Sequence, residues 1–383
     1  MKTILFLHAG AELYGADRIL LNLVSTLNPQ KFKPIVVLPT EGPLVAELRK
    51  QHVAVHVIAY PILRRKYFNV RGLFHYLKQY RRSCRQIVEL VKQEDVAIIH
   101  ANTLAVLEGI TLKRRLRAKL VWHVHEIITR PRVVFLATAF LAGRFADQIM
   151  AVSKEVQTHL VSSKLVAPRK VRVVYNGVDT EKFKPMPVAA SLKAEFQLTD
   201  DDIVIGMIGR INAWKGQMVL LRAMLPLLLA NPRLKLIFIG SVFAGEEQRQ
   251  RDLAAAIAHS QVADQIRLKA FRDDLPQVYQ LFDVFVLPST NPDPLPTVVL
   301  EAMATGKPVV GFRHGGVIEM VRDGLNGLLA TPVDEDDLRR CIQELVANEG
   351  LRTKMGAASR VRAVQQYSPQ KFSRAFEDIY NQQ

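Results

Sequence analysis

The chain has 383 residues, 49% of them hydrophobic, and 52 Lys+Arg against 36 Asp+Glu give it a net charge of +16. That length predicts two domains, each able to bury a full core, and the hydrophobic content excludes a disordered chain. Its two cysteines, Cys84 and Cys341, lie too far apart in sequence for a CxxC pair, which excludes a disulfide framework and a structural zinc site and suits a reducing cytosol.

The charge is uneven. Residues 1–184 hold 30 Lys+Arg against 13 Asp+Glu, a net of +17, and residues 185–383 hold 22 against 23, a net of −1. This places a domain boundary near Pro185-Met186-Pro187. A basic half can face nucleic acid, an anionic membrane or phosphorylated substrates. No RNP-like or helix-turn-helix signature accompanies the charge, so nucleic acid is set aside.

In chain order, short Val/Ile/Leu-rich runs alternate with helical stretches. Strands are predicted near 2–8, 34–39, 53–59, 95–100, 119–124, 148–152 and 171–174, then near 203–208, 234–239, 265–269, 284–288 and 308–312. The first run is too short for a signal-peptide core, and the longest apolar stretch, 133–143, is well below the ~20 residues that span a bilayer. The chain therefore reads as soluble. Strands apolar on both faces and separated by helices predict an α/β chain with parallel sheets, as two Rossmann-like domains facing a central cleft. Ligands of such sheets sit beyond the carboxyl ends of the strands, so motifs at strand-to-helix turns carry the most weight.

The first such turn, "LHAGAELYGADRILLNL", puts Gly10 and Gly15 between a strand and a helix from about Ala16. It is either a phosphate-approaching loop or an ordinary turn. A long helix follows the basic turn Arg64-Arg65-Lys66, with Leu73, Leu77, Tyr80, Cys84, Ile87 and Val91 on one apolar stripe that packs on the core. Lys78, Arg81, Arg82 and Arg85 lie off the stripe, and "LKRRLRAKL" (112–120) adds five more cations, so this half is a candidate for an anionic membrane surface. "KLVWHVHEI" ends a strand with His123, His125 and Glu126; alternation puts both histidines on one face. No third zinc ligand is evident. His123 reads as a core histidine and His125, at the strand's carboxyl end, as the functional candidate.

In the second half, "GMIGRINAWKGQ" sets Arg210 and Lys215 in a loop between a strand and a helix N-terminus. Free N–H groups, the helix dipole and two cations make a candidate diphosphate site, against the alternative of solvated loop charges. The loop is neither a P-loop nor GxGxxG, which points away from ATP and NAD. "NPDPLPTVVLEAMATGKPVV" (291–310) delivers a buried helix on a proline-stiffened loop, with Asp293 before it and Glu301 inside it. A carboxylate in that apolar run needs a hydrogen-bonding partner. The acidic runs "TDDDI" and "DEDDL" read as caps and first-turn acids rather than metal sites.

The motifs "GRINAWKG", "YNGVDTEKF", "LPSTNPDPLPTVVLEAMATGKPVV" and "HGGVIEMVRDGLNGLL" together resemble the retaining GT-B glycosyltransferases of group 1, also called family 4, in order and spacing over nearly the whole chain. The resemblance implies an acceptor-binding domain over 1–184, joined by a terminal helix at about 368–383 that crosses back, and a nucleotide-sugar-binding domain over 185–367. It implies that Glu301 accepts from the ribose hydroxyls, and that backbone N–H groups near Leu295, Thr297 and Val298 meet the sugar or diphosphate. Arg210 and Lys215 would neutralise the leaving diphosphate, so that neither cofactor nor divalent metal is required. His125 corresponds to the catalytic-site histidine, Gly15 to the glycine of the first loop, and Asp293 to the first acid of the family's acid–seven–Glu pattern. Two departures lie where the sugar ring would sit: Asp293 stands where the family usually has Glu, and Leu295-Pro296 where it has Phe-Gly. The implied activity is transfer of a sugar, with retention, from a nucleotide-sugar to a saccharide or lipid-linked saccharide of cell-envelope or exopolysaccharide synthesis, in the cytoplasm or on the inner face of the membrane. A non-catalytic module of the same fold, binding a sugar nucleotide or a partner enzyme, is the alternative.

Overall fold

A computed structural model describes every residue except 65, 66 and 244. Arg65 and Lys66 of the basic turn therefore lie outside the described residues. By its internal contacts the chain forms two units: Met1–Gly177 together with Pro369–Gln383, and Val178–Ser368.

The first unit is built on seven strands: β1 (Lys2–His8), β2 (Phe32–Leu38), β3 (Ala54–Val57), β4 (Val96–Asn102), β5 (Lys119–Val124), β6 (Gln148–Ala151) and β7 (Val171–Val173). They pair in the order β3-β2-β1-β4-β5-β6-β7, and every pairing is parallel. The second unit carries β8 (Ile203–Ile208), β9 (Leu234–Ile239), β10 (Ile266–Lys269), β11 (Val284–Leu287), β12 (Val309–Phe312) and β13 (Gly327–Ala330). These follow the order β10-β9-β8-β11-β12-β13, again parallel throughout. The two sheets share one scheme. The chain starts in the middle, winds outward one way, then returns and winds the other way. The reversal falls between β1 and β4 in the first sheet and between β8 and β11 in the second. There the loops leaving neighbouring strands diverge and open a crevice.

The expected α/β architecture of two parallel sheets is what the structure contains. One strand escaped the sequence reading: β13 is four residues, Gly-Leu-Leu-Ala, buried on both faces, too short and too uniform to show a period. The long helix is present as Val70–Leu90, but its buried face differs from the expected stripe. Cys84, Ile87 and Val91 are buried, whereas Leu73 and Leu77 are 54% and 44% exposed and Tyr76 takes the inward place. The first two turns of this helix thus leave apolar side chains outside. The last helix, Pro369–Asn381, buries Phe372, Phe376, Ile379 and Tyr380 in the core of the first unit beside Phe6 and Phe32. Lys2 Nζ donates to the Tyr380 carbonyl at 2.9 Å. Among the described residues no helix is long and apolar enough to cross a membrane.

One buried acid of this core serves no cap. Glu108 opens the helix Glu108–Leu116, is fully buried, and neither carboxyl oxygen has a well-formed hydrogen bond among the described residues. Desolvation pushes it from 4.5 up to about 8, more than the nearby Ser83 hydroxyl and helix N–H groups lower it. The unfolded chain ionises this group from about pH 4.5, whereas the folded chain keeps it protonated. Its contribution to stability is therefore complete below that value and is lost as pH rises to 8. A shift of this size is worth about 3–4 kcal/mol between pH 5 and pH 8. Glu108→Gln removes the titration, so the stability of the variant relative to the parent should rise by that order from pH 5 to pH 8 in denaturant melts. An equal difference at both values would show that Glu108 is ionised in the fold.

Candidate functional site

In the second unit the candidate residues come from the loops that leave β8 and β11. After β8, residues 209–216 turn into the helix Gln217–Ala230. Asn212 Oδ1 accepts from the N–H groups of Trp214 and Lys215 at 3.1 and 2.9 Å, closing a tight turn that aims Lys215. Gly216 has φ +87°, and a Cβ there would stand 2.0 Å from the Pro288 carbonyl oxygen, so the helix start is pressed against the end of the β11 strand. Gln217 Nε2 donates to the Arg210 carbonyl at 2.9 Å, and the Arg210 guanidinium lies over the Phe243 ring, 3.2 Å from its centroid.

Lys215 Nζ donates to Asp293 Oδ2, and the two side chains are 14% and 8% exposed. The structure thus joins two candidates that sequence spacing alone left apart. Asp293 is itself held from behind: Gly316 N–H donates to its carbonyl at 2.7 Å, and a Cβ on Gly316 would strike the Pro294 oxygen at 2.1 Å. That close approach accounts for the glycine pair of "HGGV". Leu295 is buried, Pro296 caps the helix Thr297–Ala304, and the first helical backbone contact is Val299 N–H to Pro296 O at 3.1 Å. The N–H groups of Thr297 and Val298 are therefore the orphan donors of this helix end. Glu301, one turn on, is 5% exposed, and its Oε2 accepts from the Tyr279 hydroxyl at 2.9 Å. Tyr279 was not singled out in the sequence, although it is a partner of the kind that Glu301's burial requires. Of the acidic runs, Asp334 caps its helix as expected, accepting from the N–H groups of Asp336 and Asp337, whereas Asp202 closes a turn ahead of β8 by accepting from Thr199 N–H.

In the first unit His125 follows β5 and ends a hydrogen-bonded chain that crosses the sheet. Its Nε2 lies 2.6 Å from Asn102 Oδ1, Asn102 Nδ2 lies 2.7 Å from His8 Nδ1, and His8 Nε2 lies 2.6 Å from Asp17 Oδ1. The other Asp17 oxygen accepts from Tyr14 N–H at 3.0 Å, the residue before Gly15, which opens the helix Gly15–Thr26. The orientation of the Asn102 amide sets the donor and acceptor roles along this chain. The carboxylate accepts from His8 Nε2–H, the amide donates to His8 Nδ1, and the amide oxygen accepts from His125 Nε2–H, which leaves His125 Nδ1 as a lone-pair acceptor. His8, Asn102 and Asp17 were all missed. His8 and Asn102 are partners in register on β1 and β4, so their meeting depends on a strand order that the sequence does not display. His123 is the core histidine expected, 1% exposed and packed on Phe376 with ring centroids 5.0 Å apart. Among the described residues no three His, Cys, Asp or Glu side chains gather as metal ligands.

Desolvation, followed by the proximity of His8, lowers His125 to about 3. The unperturbed group titrates near 6.5, so a folded-state value near 3 keeps the ring neutral throughout pH 5–8. The ring resonances of His125 should stay flat over that range in an NMR titration. A His125 midpoint near 6.5 would show that burial does not hold the ring in its neutral form.

Comparison with known proteins assigns the family. The model described as Glycosyltransferase Family 4 matches residues 14–182, and that described as Glycosyl transferases group 1 matches residues 189–362. The D-inositol 3-phosphate glycosyltransferase of Streptomyces bingchenggensis is 31% identical over 244 residues, 61% of this chain and 52% of that one, so the chain spans about half the length of this relative. The lipopolysaccharide 1,2-N-acetylglucosaminetransferase of Salmonella typhimurium is 24% identical over 300 residues, 76% of this chain and 74% of its own. Among solved structures, HepE of Anabaena in complex with UDP-glucose superposes with a TM-score of 0.86 at 25% identity, covering 100% of both chains. With both models matched in order along the two parallel-sheet units of a GT-B fold, the chain belongs to the group 1 glycosyltransferases.

Proposed function

We propose that the protein transfers a sugar from a nucleotide-sugar, tested first as a UDP-hexose, to a hydroxyl of a saccharide or lipid-linked saccharide, with retention at the anomeric carbon. The observation that carries this reading is the group of residues on the two loops at the β8/β11 reversal: Arg210, Lys215 with Asp293, the helix end at Thr297 and Val298, and Glu301. Cations, orphan N–H donors and a buried carboxylate are what a diphosphate joined to a ribose needs. Departure of the diphosphate builds positive charge on the sugar and negative charge on the leaving phosphate. Arg210 and Lys215 would meet the latter, in place of a divalent ion, and the acceptor hydroxyl would pass its proton to that phosphate as it attacks the same face. His125, neutral and oriented, would serve as a hydrogen-bond acceptor in the acceptor-side unit. The bias of exposed cations at Lys78, Arg81, Arg82, Arg85, Arg114, Arg115, Arg117 and Lys119 supports reversible docking on an anionic membrane surface.

The test is a transfer assay run in EDTA. Activity should persist, and Arg210→Ala and Lys215→Ala should each lower the rate on the order of 10²-fold, as loss of one preorganised donor does. Complete loss on chelation with rescue by magnesium, or full turnover in both variants, would overturn the metal-free diphosphate assignment. Glu301→Gln should weaken the binding of bare UDP in calorimetry, since the amide offers the ribose one acceptor oxygen in place of two. Equal affinity would remove Glu301 from the ribose site.

A further inference from the structure

The first unit holds a second recess beside His125 that the donor chemistry does not use. A cavity of about 350 Å³ is walled by Leu63, Leu104, Ile128 and Val134, with Phe68 at one side. Its walls are loops at the carboxyl ends of β3, β4 and β5, the ligand edge of the sheet, and the start of the helix Arg132–Phe145. Leu63 N–H donates to the Ala105 carbonyl at 3.0 Å and ties one wall to the next.

Three charged groups also line it. Glu126 turns inward: its Oε2 accepts from the N–H groups of His125 at 3.0 Å and Leu104 at 3.4 Å. Burial raises this carboxyl to about 7 in spite of those donors, so near neutral pH it carries only part of a charge. Arg64 and Arg130 are exposed, and among the described residues neither side chain has a hydrogen-bond or ion-pair partner. The recess therefore combines apolar walls with two exposed guanidinium groups against one partly charged carboxyl. Beyond Phe68, itself 55% exposed, the helix Val70–Leu90 leaves Val70 and Phe74 88% and 73% exposed. Exposed apolar side chains thus follow Phe68 along the chain. A soluble sugar would gain little from such walls, and a free anion would use only the arginines.

We propose that this recess takes the lipid-phosphate part of a lipid-linked acceptor: the first segment of the apolar chain in the cavity, the phosphate on Arg64 and Arg130, and the saccharide directed toward His125. The volume is at the small end of ligand cavities, so it holds a segment of chain, and the remainder lies along Phe68, Val70 and Phe74. Guanidinium groups suit the phosphate because each offers paired donors. This inference rests on the glycosyltransferase reading for the identity of the acceptor, but the recess is tested without it.

The probe is dodecyl phosphate kept monomeric, titrated into the full chain by calorimetry at fixed ionic strength. Inorganic phosphate and dodecyl maltoside are the parallel arms. Dodecyl phosphate should bind at one site and at least about tenfold more tightly than either arm, because only it uses both walls and arginines. Arg64→Gln and Arg130→Gln, both at exposed positions, should each weaken it by about tenfold, the loss of one charge-assisted contact. Val134→Trp should fill the cavity and remove binding, with thermal melts checking that the variant folds. Inorganic phosphate binding as tightly as the alkyl phosphate, the neutral glycoside binding as tightly, or unchanged affinity in both arginine variants would each overturn the proposal. Titration of UDP into the parent protein reports on the donor reading separately. A parent that binds dodecyl phosphate but not UDP would retain the recess and lose the donor site.

Discussion

The reversal of strand order in each sheet is the constraint on which the rest of the structure depends. A parallel sheet cannot be closed by hairpins, so each strand is followed by a crossover, and crossovers of one hand pile up on one side of the starting strand. When the chain returns to the other side of that strand, two neighbouring loops must part. At β1 and β4 this brings His8 and Asn102 side by side at their carboxyl ends. At β8 and β11 it brings the 209–216 loop against Pro288 and carries Lys215 to Asp293. The same piece of topology thus assembles both candidate clusters from residues that are distant in sequence.

The two clusters solve the problem of burying polar groups in opposite ways. Lys215 and Asp293 are kept as an ion pair, whose attraction offsets desolvation only while both members remain. An anionic ligand arriving there competes with a carboxylate already in place, so Lys215 need not be desolvated anew. The Asp293 side chain reaches this lysine while Gly315 and Gly316 let the 293–295 backbone sit close behind it. In the first unit charge is avoided. His100 and His125 are both lowered to about 3, chiefly by desolvation, and each has one ring nitrogen engaged, by Tyr380 and Asn102 respectively. Only Asp17, at the far end of the chain of hydrogen bonds, sits in the first turn of a helix, where a negative charge is favoured.

Much of this was legible before the structure. The alternation of short apolar runs with helices was enough for two parallel sheets, because strands buried on both faces must read as continuous hydrophobic stretches. Arg210, Lys215, Asp293 and Glu301 stood out because charged residues at strand-to-helix turns or inside apolar runs need a reason to be there. What could not be read was pairing across the fold. Tyr279 reaches Glu301 from 22 positions away, and Asp17, His8 and Asn102 become partners of His125 only once the order β1-β4-β5 is known. The misjudged face of the helix Val70–Leu90 has a related origin. Steps of three and four identify a stripe, but not how far along the helix the body of the domain extends, and here it ends before Leu73 and Leu77 are covered.

That uncovered end bears on where the charge of the first half resides. Its interior cluster is largely uncharged, so the net of +17 over residues 1–184 is carried by the surface, notably Arg71, Lys78, Arg81, Arg82 and Arg85 on one helix and Arg114, Arg115 and Arg117 on the next. Surface charge of one sign does little for stability. It acts on encounter, drawing anionic partners over a distance set by the Debye length, ~10 Å at 0.1 M salt. Apolar side chains left exposed beside it act only at contact. A surface that attracts by charge and retains by apolar contact is suited to an anionic partner with a hydrophobic body, and both properties occur together where the helix Val70–Leu90 leaves the core.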